Sequence, residues 1–460
     1  MEITSNIKNK IEEIYKDSNY NVRTVSLGRK KVGDEKTDEI AIVIRVEKKK
    51  PLSELSADEI VPKTITIDGQ DFKTDVIEDP SEITAIACFT STDPDVLKLQ
   101  GDPALLTPLK GGQELTQFPT GWTDFGGGSY GFTVGTLGFI GVDDIDGKIV
   151  GVTNNHVVIG NGDINGDRDI PTEVASPYNI IEPIEWVVDS SSYAPGALLR
   201  DESAPGTFVD GAPNIKRYIP FDVDGTNYVD VALLIMDPTK VDNTSYQIHQ
   251  PTGETAYTDY LPFASTAEID SLLATPRTIY STGRTTGPKG WGVSASCTLE
   301  ITALAETISV SGLSDTNLTF SDVVRFEFTD GSNYPIDSGD SGSAVVADFD
   351  GTRKIVGLAF AGSLTAGFFC RIDRIADAIK IRQWDEHYVY DDTVPAGATL
   401  KAAPIEDSSA DSVTVTPECK YLFQAGTSMT DTYDDLLAIT PLACSVTPTV
   451  TPEVTPTPSG

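Results

Sequence analysis

Along the first eighty residues the spacing of apolar positions changes period. Ile7, Ile11, Ile14 and Tyr15 recur at helical intervals through a charged opening segment, which predicts an amphipathic helix over residues 1–20. VRTVSLG (22–28) and EIAIVIRVEK (39–48) then alternate or run apolar as strands do, and TITIDG (64–69) reads as a third strand. Between them, PLSELSADEI (51–60) carries Pro51 where helices begin, which predicts a helix there. These elements make a small α+β module over residues 1–80. Residues 81–128, rich in Gly, Pro, Thr and Asp, hold no lasting period and read as a connection.

From residue 129 the pattern becomes all-β. Asp-Gly pairs sit between apolar runs in LGFIGVDDIDGKIVGVTNNHVV (137–158), IPFDVDGTNYVDVALLIM (219–236) and SAVVADFDGTRKIVGLAF (343–360). Asp-Gly supplies the positive φ of a tight hairpin turn, so each run predicts a hairpin, and hairpins at this density predict a sandwich or a pair of barrels. RIDRIADAIKIRQW (371–384) predicts a short helix closing a 129–388 domain. The remainder, 389–460, is an acidic tail ending in SVTPTVTPEVTPTPSG, whose repeated Thr-Pro favours extended, polyproline-like chain. The expected class is mainly β, after a small α+β module and before an extended tail.

Composition narrows the partners. A length of 460 residues exceeds one ordinary hydrophobic core, and 34 basic against 69 acidic residues give a formal charge of -35. That charge repels phosphate backbones and anionic lipid, so neither nucleic acid nor a membrane is an expected partner. The charged N-terminus lacks the apolar core of a secretory signal, and no long apolar span follows; a cytoplasmic or particle-associated protein, a virion included, is expected. Cys88, Cys297, Cys370, Cys419 and Cys444 are scattered without CxxC spacing, so only Cys419 with Cys444 suggests a disulfide.

The candidate chemistry centres on YPIDSGDSGSAVV (334–346). A turn accounts for its small residues, since Gly supplies backbone freedom and Asp and Ser bond their own backbone. The sharper reading makes Ser341 a nucleophile, with the amides of Gly339 and Ser341 directed at a developing oxyanion. Serine needs a base. Of three histidines, His249 and His387 lack a catalytic context, while His156 ends an apolar strand in VTNNHVV. Asp230 in YVDVALLIM precedes another apolar strand, where a buried carboxylate needs a partner; an imidazole would serve, although capping a turn also explains it.

The order His156, Asp230, Ser341 on three β segments, in TNNHVV, DVALL and GDSGS, resembles the chymotrypsin-like (trypsin-like) serine peptidases. GRTTG (283–287), and IVIRVEKKKPLSEL followed by TDVIE, extend the likeness to bacterial trypsin-like peptidases with an N-terminal α+β module. The resemblance implies a double β-barrel over 129–388, with His156 as general base, Asp230 as its orienter and Ser341 as nucleophile of peptide hydrolysis. It also implies an oxyanion hole at Gly339 and Ser341. GLAFAGS (357–363) matches the strand that pairs with substrate, so Ala361, Gly362 and Ser363 join the substrate-binding set, small residues leaving the pocket open. A protein or peptide substrate is implied, with no cofactor.

Three points stay open in the sequence. Asp340, which a freed N-terminus neutralises in trypsin-like zymogens, has no such partner in view, so either another group pairs with it or the chain awaits cutting in its connection. Asp337 stands near enough to Ser341 to favour a basic substrate residue, but it lies four residues before the serine where the trypsin pattern has its specificity aspartate six before, which favours a turn carboxylate. Asp163, Asn165, Asp167 and Asp169 alternate as in a calcium loop, but Arg168 occupies the position of the turn glycine, which favours a solvated loop. The rival functions are a non-catalytic scaffold or binding part of a larger assembly tethered by the tail, and an esterase with the same triad.

Overall fold

The computed structural model describes residues 3–17, 22–33, 35–85, 88–90, 111–112, 114–118, 122–126, 129–144, 149–158, 179–181, 214–219, 221–235, 261–283, 286–289, 298–313, 316–383 and 421–422. Asp163, Asn165, Asp167, Asp169, His249, His387, Cys419, Cys444 and the Thr-Pro end lie outside the described residues. Within them the protein is mostly β. No helix among the described residues is long and apolar enough to cross a membrane, which leaves β-strand spanning unaddressed.

The helix α1 (Ser5–Asp17) buries Ile7 and Ile11 against β1 (Val22–Val32), as its apolar spacing predicts. β1 pairs antiparallel with β2 (Glu35–Val46); β2 runs parallel to β4 (Gln70–Glu78), which forms a hairpin with β3 (Thr64–Ile67). The helix expected over 51–60 is absent: the chain makes two 3-10 turns, Leu52–Glu54 and Ala57–Glu59. Leu55 and Ser56 between them are extended (ψ 136° and 164°), so the first turn cannot run into the second, which the Glu59 carboxylate caps by accepting the backbone N–H and the hydroxyl of Ser56, each at 2.8 Å.

Six antiparallel strands close into a ring. Ile279–Gly283 pairs with Leu299–Val310, which pairs with Leu318–Phe328, then Gly367–Arg371, Thr352–Gly362, Ala344–Phe349 and back to Ile279–Gly283. β1 joins the free length of Leu299–Val310, from Thr24↔Ile308 to Gly28↔Ala303. The N-terminal strands therefore continue the sheet of the ring and cover an edge that would otherwise stay open. A second sheet runs Ile381–Gln383, Phe139–Asp143, Ile149–Thr153, Ala232–Ile235, Asn214–Tyr218, Asn179–Ile181, Glu114–Phe118, Ser129–Thr136. Among the described residues its pairing does not close.

The three Asp-Gly predictions fare differently. Asp350 and Gly351, at φ 57° and 94°, turn the hairpin between Ala344–Phe349 and Thr352–Gly362 as expected. Phe139–Asp143 and Ile149–Thr153 pair antiparallel, with the turn between them outside the described residues. Asp224 and Gly225 do not make a hairpin. Asn214–Tyr218 pairs with Ala232–Ile235 across the whole intervening stretch, and Thr226–Asn227 inside it pairs in parallel with Leu318–Phe328. The helix predicted over 371–384 is shorter, Ile372–Ile379; Lys380 leaves it at φ 57°, and Ile381–Gln383 joins Phe139–Asp143 as a strand.

A buried charge cluster locks the N-terminal strands to the ring. Arg45 of β2 lies 3.2 Å from Glu306, and Arg325 lies 2.8 Å from Glu327 and 3.2 Å from Asp79. Buried charges are tolerated only in such company, and breaking one pair strands its partner. Burial opposes the charge on Glu327, but Arg325 and Arg45 outweigh it and hold that carboxyl at about 2, from an ordinary 4.5. A depressed carboxyl contributes stability above its ordinary pKa and loses it as pH falls through the folded value. Glu327→Gln should therefore cost roughly 2–3 kcal/mol in urea unfolding at pH 7, the difference from the parent vanishing as pH falls from about 4.5 through 2.

Candidate active site

His156 begins where the strand Ile149–Thr153 runs out into the one-turn helix Asn155–Val158. That strand pairs with Ala232–Ile235 in a register that sets Thr153 opposite Ala232. Two residues further, the same register brings Asp230 level with Asn155, beside the histidine. Asp230 is fully buried and accepts from the His156 backbone N–H at 3.2 Å and from its ring Nδ1. The Asp230 carbonyl accepts from Asn154 Nδ2 at 2.7 Å, and Asn155 Nδ2 donates to the Ile219 carbonyl at 2.9 Å. The two asparagines of TNNHVV thus tie the histidine turn to the aspartate loop.

Ser341 comes from the other sheet. It stands on two successive turns before Ala344–Phe349, closed by Asp340 N–H to the Asp337 carbonyl (2.9 Å) and Ser343 N–H to the Asp340 carbonyl (3.0 Å). Gly339 and Gly342 there hold φ of 97° and 91°, and a Cβ on Gly342 would stand 2.2 Å from the Thr136 carbonyl oxygen. Only glycine fits. Thr136 clasps this turn from the second sheet: its N–H donates to the Ser341 carbonyl at 2.7 Å and its hydroxyl to the Gly339 carbonyl at 2.8 Å.

The structure thereby brings together the three side chains singled out in sequence. His156 Nε2 lies 2.8 Å from Ser341 Oγ. With Asp230 on Nδ1, the neutral ring carries its proton there, and Nε2 is left as acceptor for the serine hydroxyl. The hydroxyl also lies 3.3 Å from the Phe360 carbonyl. Gly339 and Ser341 are both buried, and neither backbone N–H has an acceptor among the described residues. Buried amides are nearly always paired, so two without an acceptor among the described residues set this turn apart.

Asp340 is the buried group that holds the turn in place. Its carboxylate accepts from Thr286 N–H at 3.0 Å, Thr286 Oγ1, Asp337 N–H at 3.1 Å and Lys289 Nζ at 3.4 Å. Lys289 is itself buried. The partner that the sequence left open is therefore internal to the chain. A Cβ on Gly283 would stand 2.2 Å from Asp340 Oδ1, so the first glycine of GRTTG makes room for the carboxylate and its second threonine donates to it. Thr136, Thr286 and Lys289 escaped sequence reasoning, although GRTTG drew attention to the right segment.

The remaining predicted residues separate. Ala361 and Gly362 lie buried on Thr352–Gly362, which pairs along one edge with Gly367–Arg371. Ser363 instead caps its own turn: its N–H donates to the Ala366 carbonyl at 2.8 Å and its hydroxyl accepts from Ala366 N–H at 3.3 Å. Asp337 is exposed, and its carboxylate accepts from Ser338 N–H at 2.7 Å, the turn reading of this residue. Cys370 is a buried free thiol; burial, and then the charge of Asp230, push it well above its ordinary pKa, which removes it as a rival nucleophile.

No protein-family model and no curated protein matches the chain. Among solved structures it is similar to Nocardiopsis protease (14% identity, TM-score 0.32, 60% of this chain and 97% of that one). It is similar to Thermobifida fusca protease A (12%, 0.32, 60% and 98%) and to Cellulomonas bogoriensis chymotrypsin (14%, 0.31, 60% and 98%). At TM-scores this low the likeness adds nothing to what the side-chain geometry says.

The Asp340 pocket has a measurable consequence. Lys289→Met should lower stability by roughly 2–3 kcal/mol, because it takes a cation from a buried carboxylate. In an Asp340→Asn background the same change should cost less by about 1–3 kcal/mol, measured as a double-mutant cycle in denaturant.

Proposed function

We propose that the protein is a serine endopeptidase. The observation that carries this reading is the hydrogen-bonded series Asp230, His156, Ser341, ending beside two amides that have no acceptor among the described residues. A serine hydroxyl becomes an effective nucleophile when a base takes its proton during attack. In the proposed reaction Ser341 Oγ bonds to a peptide carbonyl carbon while its proton passes to His156 Nε2. The oxyanion is held by the amides of Gly339 and Ser341, and Asp230 stabilises the imidazolium without taking its proton. The C–N bond then breaks, the amine leaves with the proton from His156, and water repeats the sequence in reverse to release the acid and restore Ser341. No metal or cofactor takes part.

The internal Lys289 supports activity without a freed N-terminus, since Asp340 already has its counter-charge. Pairing of an extended peptide along the strand Thr352–Gly362 favours a peptide over a small ester, because main-chain hydrogen bonds there reward an extended backbone. The chain's own connection is a candidate target for self-processing. The exposed Asp337 supplies no argument for a basic preference.

Prolonged exposure to a fluorophosphonate, followed by peptide mapping, should place one adduct on Ser341, absent in Ser341→Ala. His156→Ala should slow labelling by about 10³-fold or more and Asp230→Asn by a similar order, as loss of a triad member does elsewhere. A folded protein that never labels would sink the reading.

A further inference from the structure

Resting on the peptidase reading, a further inference concerns what the substrate edge now holds. Thr352–Gly362 has two edges. One is taken along its length by Gly367–Arg371, with Ala361 opposite Phe368 and Gly362 opposite Gly367. The other pairs with Ala344–Phe349 as far as Ala344 opposite Leu358. It continues with Gly342 N–H to the Ala359 carbonyl and Ala359 N–H to the Ser343 carbonyl, both 2.9 Å, and then with Ser341 Oγ 3.3 Å from the Phe360 carbonyl. Past the nucleophile this edge is occupied again. Thr84–Ala85 pairs antiparallel there, Thr84 opposite Gly362 and Ala85 opposite Ala361.

The direction matters as much as the place. An antiparallel partner of Thr352–Gly362 runs from Gly362 toward Phe360, so Thr84–Ala85 advances on Ser341 along the edge where a substrate backbone would have to lie. The short strand is held on its far side too: Ala85 N–H donates to the Ser311 carbonyl and Ser311 N–H to the Ile83 carbonyl, each at 3.0 Å. Those bonds use the inward groups of Ile83 and Ala85 and leave the backbone of Thr84 facing Gly362. Ile83 is buried in the apolar core as an anchor. Ser341 itself has 0% solvent exposure, as expected of an occupied site.

We propose that Ile83, Thr84 and Ala85 form a built-in pseudosubstrate, which occupies the peptide-binding edge at Ala361 and Gly362 and blocks extended peptides until it is displaced. The edge selects an extended backbone: Thr84, opposite Gly362, is exposed, whereas Ala85, opposite Ala361, is half-buried. External substrates that fit it are extended peptides with a small residue opposite Ala361 and no side-chain requirement opposite Gly362.

The test separates this block from the competence of the triad. Parent and Thr84→Pro, which removes the one N–H facing Gly362 and spares the Ser311 bonds, are both treated with fluorophosphonate. Both are then assayed on tetrapeptide anilides varied in the last residue and on the corresponding single-residue anilides. With the block in place, lengthening the substrate gives the parent no gain in kcat/KM, while the folded variant cleaves tetrapeptides about tenfold faster or more, matching an edge open less than a tenth of the time. A parent that gains about tenfold with substrate length has an open edge and overturns the block, even if the variant fails to fold. Equal peptide turnover by parent and folded variant, with Ser341 labelled in both, overturns the block and leaves the peptidase reading standing. Absence of labelling in both overturns the reading and the block with it.

Discussion

A carboxylate without solvent one residue before Ser341 is the constraint from which the site is built. Asp340 cannot stay charged in the interior unless donors surround it, and the chain supplies Thr286, the Asp337 amide and Lys289. Each donor imposes something on the backbone. Thr286 and Lys289 lie beyond Gly283 on the ring, whose missing side chain admits the carboxylate. The Asp337 amide bends the chain so that two turns follow in succession, meeting at Asp340, and Ser341 is the residue after that junction. Moving the serine would unpair Asp340, so the position of Oγ is fixed by electrostatics inside the ring more than by contacts of Oγ itself.

The other half of the site is positioned by sheet register. Thr153 opposite Ala232 sets where Asp230 meets the histidine turn, and Thr136 carries that placement across to the serine turn through two hydrogen bonds. The N-terminal strands belong to the same construction. β1 continues the sheet of the ring, and the cluster of Arg45, Glu306, Arg325, Glu327 and Asp79 ties β2 and the end of β4 to the ring strands Leu299–Val310 and Leu318–Phe328. Asp79 lies four residues before Ile83, so the ion pair that secures the end of the module also delivers the following segment to the edge beside Ser341.

Much of this was legible in the sequence, for identifiable reasons. A period of 3.6 located α1, which buries one face, while β1 and β2 were located by apolar runs whose middles are buried on both faces. Asp350 and Gly351 announced their turn because both residues need positive φ. The same signal failed at Asp224 and Gly225, where a long-range parallel pairing of Thr226–Asn227 with Leu318–Phe328 overrides the local turn. The helix expected after Pro51 failed because Leu55 and Ser56 are extended and divide the segment into two single turns. His156, Asp230 and Ser341, which the structure brings together, were readable as types in sequence order. Lys289 was not, since a lysine in a polar stretch acquires its role only from a carboxylate distant in sequence.

The occupied edge follows from an inequality of strand lengths. Ala344–Phe349 covers Thr352–Gly362 only as far as Leu358, and the turns that present Ser341 consume the next positions. Ala361 and Gly362 would then expose backbone donors and acceptors in a buried place, which costs about 1–3 kcal/mol for each group left unpaired. Any extended strand arriving there is rewarded, and a strand of the same chain arrives at an effective concentration on the order of mM. An external peptide must exceed that figure or bind the edge more tightly than Thr84–Ala85 does. The geometry that makes a peptide edge useful beside a nucleophile is the same geometry that makes it self-filling.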